Sequence, residues 1–171
     1  MVAKPAPTAV YRQTICDLIT QERARIIVEV GVYAGGLSRM IAALDCVETL
    51  YSIDPWPAEF KNFGKEHMDK ICESVVRWAD TVPKVQVFRT TSIEASRMFQ
   101  DQSVCFFETD GVHRYEMIRA DIEAWLPKVK PGCILAGDNH EYPDVARAVG
   151  ELLPHRELAA NGRVWWARKL A

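Results

Sequence analysis

The stretch RIIVEVGVYAGGLSRMIAAL, residues 25–44, decides the fold. Its opening residues, RIIVEV, are short, branched and apolar, the mark of a strand buried on both faces. Glycines at 31, 35 and 36 then break the run. After them Leu37, Met40, Ile41 and Leu44 recur at helical spacing. A strand that passes through a glycine turn into a helix is the unit from which parallel sheets are built.

Working outward, the same alternation repeats. Upstream, Thr8 is placed to start a helix whose Tyr11, Ile15, Leu18 and Ile19 share one face. Downstream, TLYSID (49–54) reads as a second strand, and residues 60–80 as a helix with Gly64 inside it. VQVFR (85–89) is a third strand. A short helix capped by Ser92 follows, and VCFFE (104–108) is the fourth strand. Tyr115, Ile118, Ile122, Trp125 and Leu126 mark a helix that Pro127 ends. CILAGD (133–138) is the fifth strand. Pro143 opens a helix at a favoured position and Pro154 closes it. Asn161-Gly162 between RELAA and RVWWARK predicts a hairpin with a type I′ turn. The expected fold is α/β and Rossmann-like: a seven-stranded, mainly parallel sheet with helices on both faces and a C-terminal antiparallel hairpin. Residues 1–171 are expected to form one domain, with an N-terminal helix in 1–24 and the core in 25–171.

Composition narrows the function. The net charge is −2, from 21 basic and 23 acidic residues, and no basic block is present. Nucleic acid is therefore not an expected partner, since phosphate binding needs clustered Lys and Arg. No apolar run approaches a membrane span, and the first residues lack the apolar core of a signal peptide. The five cysteines are scattered, with no C-x-x-C pair, so they read as small buried hydrophobes in a reducing, cytoplasmic setting. The sequence is compatible with a homo-oligomer.

In a parallel sheet, ligands bind beyond the carboxyl ends of the strands. Acids, glycines and a histidine follow the apolar runs at those places. The loop EVGVYAGGLS (29–38) admits three ligand readings. A dinucleotide loop needs a second glycine where Tyr33 stands. A nucleoside-triphosphate loop needs a lysine where Leu37 stands. A nucleoside without phosphate, such as S-adenosylmethionine, needs neither. Asp54, about twenty residues on, suits a ribose. A purely structural turn is the fourth possibility.

FFETDGVHRY (106–115) and LAGDNH (135–140) raise a second question. Strands four and five are expected side by side, so Asp110 and Asp138 end close together. Two such carboxylates repel unless a proton or cation lies between them. With the amide oxygen of Asn139 they form an all-oxygen set suited to Mg²⁺, Mn²⁺ or Ca²⁺.

VEVGVYAGGLSR, SIDPW and the block from Asp110 to Glu141 together resemble the class I S-adenosylmethionine-dependent methyltransferases, and within them the metal-dependent O-methyltransferases of small molecules. The resemblance covers roughly residues 25–170. It implies that S-adenosylmethionine meets Glu29, Gly31, Tyr33, Gly35, Gly36 and Ser38 of the loop, with Asp54 on the ribose and Ser92 near the adenine. It implies metal ligation by Asp110, Asp138 and Asn139, and His113 as general base. The acceptor it implies is a hydroxyl of a small molecule such as a sugar or natural product. Asp-Asn at 138–139 departs from the two acids common in sugar-modifying relatives and matches the catechol type. A nucleotide- or metal-binding relative without transferase chemistry, or a family member that modifies a sugar or antibiotic by another reaction, is the alternative. His140 and Trp56 are lesser site candidates, against roles as a helix cap and a core residue. Glu108 reads as a strand-end acid with a structural partner.

Overall fold

The computed structural model describes residues 8–60 and 62–170; the leader reading of residues 1–7 lies outside them. The alternation is realised in order. Helix α1 (Thr8–Gln21) leads into β1 (Ile26–Val30), α2 (Gly36–Ala42) and β2 (Thr49–Ile53). A two-residue pair, β3 (Glu59–Phe60) and β4 (Phe63–Gly64), precedes α3 (Lys65–Ala79). Then come β5 (Val85–Phe88), α4 (Ser92–Ser96), β6 (Val104–Thr109), α5 (Tyr115–Trp125) and β7 (Val129–Gly137). Helix α6 (Pro143–Leu152) and the hairpin β8 (Glu157–Ala159) and β9 (Val164–Arg168) complete the chain.

Seven strands form one sheet in the order β5-β2-β1-β6-β7-β9-β8. Every ladder from β5 to β7 is parallel, and β9 runs against both its neighbours. Side chains alternate across the sheet. Ile27, Phe106 and Ile134 pack under α1 and α2 with Tyr11, Ile15 and Ile41. Val28, Phe107 and Leu135 pack on the other face with Ile118, Ile122 and Trp125 of α5. Of the two adjacent tryptophans, Trp165 is buried and Trp166 half-buried, as alternation on a strand requires.

Three local expectations are corrected. Gly64 is extended (φ −84°, ψ 176°) and precedes α3, because the small hairpin takes up residues 59–64. Thr91, not Ser92, caps α4: its hydroxyl accepts the Glu94 N–H while the Glu94 carboxylate accepts the Thr91 N–H. Strand β7 begins at Val129, four residues before the predicted start. The predicted turn holds: Asn161 (φ 57°, ψ 34°) and Gly162 (φ 85°) have type I′ angles, and the Arg163 N–H donates to the Ala160 carbonyl. Ala160 also has positive φ, so the ladder stops one pair short, at Ala159 and Val164.

Two glycines are dictated by close packing at the strand ends. Gly31 has φ +92°, and a Cβ there would stand 2.4 Å from the Asp110 carbonyl oxygen. At Gly137 it would meet the Trp165 ring and the Thr109 carbonyl at 2.6 Å. Gly31→Ala combines left-handed strain with a backbone clash, so it is expected to lower the unfolding free energy by about 2–4 kcal/mol. Urea denaturation against wild type measures this; a loss below about 1 kcal/mol would mean the two strand ends can separate freely.

Candidate active site

The chain leaves β1 toward β2 and β5, then returns to lay β6 on the other side of β1. Such a reversal opens a cleft between the two departing loops. Backbone bonds close its floor: the Asp110 N–H donates to the Val30 carbonyl at 2.8 Å, and the Gly31 N–H to the Ile53 carbonyl at 3.0 Å. Above this floor lie two adjoining chambers of about 180 and 610 Å³. Gly31, Tyr33, Asp110, Gly111 and Val112 line both and form the wall between them.

The smaller chamber is bounded by Asp54, Pro55, Thr91, Ser92, Met117 and Asp121. Asp54 also organises the glycine loop. Its Oδ2 accepts the Tyr33 N–H at 2.8 Å and its Oδ1 the Trp56 N–H at 2.7 Å. The Trp56 indole N–H donates back to the Tyr33 carbonyl at 2.8 Å, with the ring buried among Val32, Met68 and Val75. Trp56 therefore supports the loop from below and does not cover a ligand. The Ser92 hydroxyl accepts the Trp125 indole N–H at 2.9 Å.

The larger chamber holds Glu29, Asp110, His113, Asp138 and Asn139. His113 Nε2 and Asp110 Oδ1 are 3.2 Å apart, and the imidazole stacks on the Tyr142 ring at 5.3 Å. Asp138 is buried and paired: Arg163 Nε donates to its Oδ1 at 2.6 Å, and Arg163 Nη2 donates to its Oδ2. Asn139 stands at φ +59°, where the strand turns away. Gly35, Gly36 and Ser38 lie behind the chambers. Gly35 ends the loop at φ +71° against Arg39, and Gly36 lies against the Arg12 guanidinium. Ser38 is buried and donates to Glu29 Oε2 at 2.6 Å.

A family model described as a methyltransferase domain matches residues 28–140. The chain belongs to the methyltransferase-domain family. An uncharacterised protein of Sinorhizobium fredii, y4gI, is 28% identical over 127 residues, covering 69% of this chain but 13% of that protein. Among solved structures, a candidate caffeoyl-CoA O-methyltransferase from Staphylococcus aureus superposes with a TM-score of 0.70 at 15% identity, over 95% of this chain and 86% of that one. The spermidine synthase of Thermotoga maritima superposes at 0.65 with 14% identity, over 95% and 59%. Neighbours named for two different reactions share the sheet, so at these identities the likeness speaks for the fold alone.

The cleft rests on buried acids. Burial pushes the Glu29 carboxyl up to about 7, against the stabilising hydroxyls of Ser38 and Ser52. Asp54 and Asp110 are raised by burial, opposed in the first by backbone N–H groups and in the second by His113. Glu108 is fully buried, with its Oε1 accepting the Tyr11 hydroxyl at 2.6 Å and its Oε2 unpartnered among the described residues. Burial raises it well above the carboxylate range. His140 lines neither chamber and accepts from Arg156 Nε at 3.2 Å.

Four cleft residues escape a reading of motifs. Arg163 lies 25 positions from Asp138, and Tyr11 and Arg12 belong to a helix read only for its apolar face. Asp121 carried a legible signal. It falls between Ile118, Ile122 and Trp125 on the buried stripe of α5, and an acid there needs a partner; the Thr109 hydroxyl supplies one at 3.2 Å.

For the metal, the chemistry of the set decides. Asp110, Asp138 and Asn139 do share one chamber, but both Asp138 oxygens already accept from a guanidinium. Among the described residues no three His, Cys, Asp or Glu side chains gather in a metal-holding group. As they stand, these residues do not fit a divalent cation.

Glu29 makes the protein's stability depend on pH. Its carboxyl is protonated in the fold up to about pH 7 and ionises near 4.5 when unfolded. Its contribution is complete below about 4.5 and is lost as pH rises to 7, a change of about 3 kcal/mol. Glu29→Gln should flatten the fall in Tm between pH 4.5 and 7. Equal slopes in wild type and variant would show that Glu29 titrates normally.

Proposed function

We propose that the protein transfers a methyl group from S-adenosylmethionine to a hydroxyl of a small molecule. The observation that carries this reading is the acid-lined double chamber. Asp54 and Asp110 border it, Glu29 stands beside them held toward its neutral form, and the loop has no lysine. An acidic floor disfavours phosphates and favours a ligand with positive sulfonium and ammonium groups. The loop N–H groups of Tyr33 and Gly35 are also already engaged, by Asp54 and by the Val32 carbonyl. A pyrophosphate cradle would need them free.

In this reading the nucleoside lies in the smaller chamber, with Asp54 toward the ribose and Ser92 and Asp121 toward the base. Glu29 faces the amino-acid part. When bound, S-adenosylmethionine supplies an electrophilic methyl group on a sulfonium leaving group. The protein's tasks are to hold the acceptor in line and to remove its proton. His113 is the base: if its Nε2–H donates to Asp110, Nδ1 is left to take the proton. Asp110 fixes the tautomer and steadies the imidazolium, as carboxylates do in other histidine dyads. Tyr142 holds the ring plane.

Exposed Tyr33, Phe63, Val112 and Tyr142 rim the larger chamber. That apolar collar suits an acceptor with an aromatic or otherwise apolar skeleton better than a bare sugar. A phenolic hydroxyl, of pKa about 10, is also much closer to the reach of an imidazole than an alkyl one.

Calorimetry with S-adenosylhomocysteine, NAD and ATP side by side tests the cofactor. S-adenosylhomocysteine alone is expected to bind, and Asp54→Ala to weaken it at least tenfold; binding of NAD or ATP in its place would reject the reading. Labelled methyl transfer to a panel of phenols, glycosides and sugars tests the reaction. His113→Ala is expected to lower turnover by ~10²–10⁴-fold with cofactor binding unchanged. Undiminished turnover in that variant would remove His113 from the mechanism.

A further inference from the structure

Arg163 occupies the place where the resemblance puts a metal. We propose that its guanidinium is the resident cation of the acceptor chamber and that the site works without a divalent metal. The inference rests on the methyl-transfer reading for its chemistry, but its geometry stands by itself.

Three observations fix Arg163. Its side chain grips both carboxylate oxygens of Asp138, and in that pair the side-chain exposures are 13% for Arg163 and 1% for Asp138. Its guanidinium lies over the Tyr11 ring at 5.6 Å from the centroid. Its backbone is held twice: the N–H donates to the Ala160 carbonyl at 3.2 Å, and the carbonyl accepts the His140 N–H at 2.9 Å. A surface arginine has none of these restraints. This one lines the same chamber as Asp110 and His113.

Charge then decides between the guanidinium and a metal. With Asp138 neutralised, a divalent ion would find one carboxylate, Asp110, and one amide oxygen, Asn139, beside a fixed positive charge. One carboxylate and one amide oxygen give Mg²⁺ or Ca²⁺ little negative charge to bind, and the neutralised Arg163–Asp138 pair adds none. Reaching Asp138 would require ejecting Arg163 from a buried bidentate pair, which leaves the guanidinium without its counter-charge. The guanidinium meanwhile offers what an ion would offer a hydroxyl acceptor: a fixed positive charge facing the oxygen as its proton leaves. The step balances without metal. The acceptor O–H proton passes to a His113 ring nitrogen, the oxygen lone pair forms the O–CH₃ bond, and the S–CH₃ electron pair returns to sulfur as the neutral thioether. The imidazolium proton then goes to water.

The test uses Mn²⁺ titration followed by electron paramagnetic resonance, with S-adenosylhomocysteine calorimetry as the control for fold. Wild type is expected to bind no stoichiometric Mn²⁺ up to about 1 mM, the weak end of the range for protein oxygen cages. It should turn over equally in EDTA and in Mg²⁺. Arg163→Ala is expected to keep S-adenosylhomocysteine binding, lose at least tenfold in metal-free turnover and gain Mn²⁺ binding. Adding Asp138→Asn should abolish that gain. One Mn²⁺ bound by wild type and lost in Asp138→Asn would overturn the proposal, whether or not any acceptor has been found. So would full metal-free turnover in Arg163→Ala. Absence of methyl transfer to every acceptor, with the Mn²⁺ results as expected, would instead count against the transferase reading and leave the cation assignment standing.

Discussion

The approach of Gly31 to the Asp110 carbonyl is the constraint on which the cleft depends. Two neighbouring parallel strands end there and their chains turn to opposite sides, yet their backbones remain in contact. A Cβ at position 31 would stand 2.4 Å from that oxygen, so only glycine lets both loops start at the same height. The smaller and the larger chamber then share one wall. Gly31 therefore serves the protein's own backbone first; the room it leaves a ligand follows from that. Tyr33, at φ +48°, accepts a comparable strain because the Asp54 carboxylate holds its N–H and the Trp56 indole its carbonyl.

Electrostatics explains why the cleft is built from unlike partners. Six acids lie in or under it, and each is compensated differently. Glu29 takes two hydroxyls, Glu108 a phenol, Asp54 backbone N–H groups, Asp121 a threonine, Asp110 an imidazole, and Asp138 alone a full positive charge. Hydroxyls and phenols stabilise a carboxylate less than an ion pair does. Burial therefore dominates at Glu29 and Glu108, which are held toward their neutral forms. Glu29 and Glu108 stand opposite one another on β1 and β6, and two full charges at that spacing would repel strongly. Keeping them largely neutral lets the two strands pair with these carboxyls face to face.

Much of this was legible in the sequence, for identifiable reasons. Buried parallel strands leave continuous apolar runs, and the residue after each run falls at the edge where the cleft opens; hence Asp54, Asp110, His113 and Asp138 could be placed on its walls without coordinates. The glycine loop was half legible. Its position was clear, but nothing local distinguishes Gly31, Tyr33 and Asp54 on the cavity walls from Gly35, Gly36 and Ser38 behind them. Gly64 misled because a glycine inside a helical pattern is tolerated, and the pairing of Phe60 with Phe63 that displaces it is too short to leave a period. Arg163 was illegible because its partner is distant in sequence. A lone arginine after an Asn-Gly turn reads as a solvated hairpin residue.

The hairpin shows how core packing places a charge. Trp165 pairs with Gly137 across β9 and β7, and its ring fills the space a Cβ at 137 would need. Large apolar contacts of this kind set register firmly, since a slip by one residue would turn Trp165 out of the core. Register fixed at that pair leaves Asp138 just past the end of β7 and Arg163 just before the start of β9, so the two side chains meet diagonally at the strand ends. The type I′ turn at Asn161-Gly162 then holds Arg163 at the mouth of the cleft by its own N–H. The ion pair is thus positioned by hydrophobic packing, and little ordering is left for its charges to supply. That pre-organisation makes a guanidinium a workable substitute for a metal: the cation needs no capture from solution, because folding has already put it there.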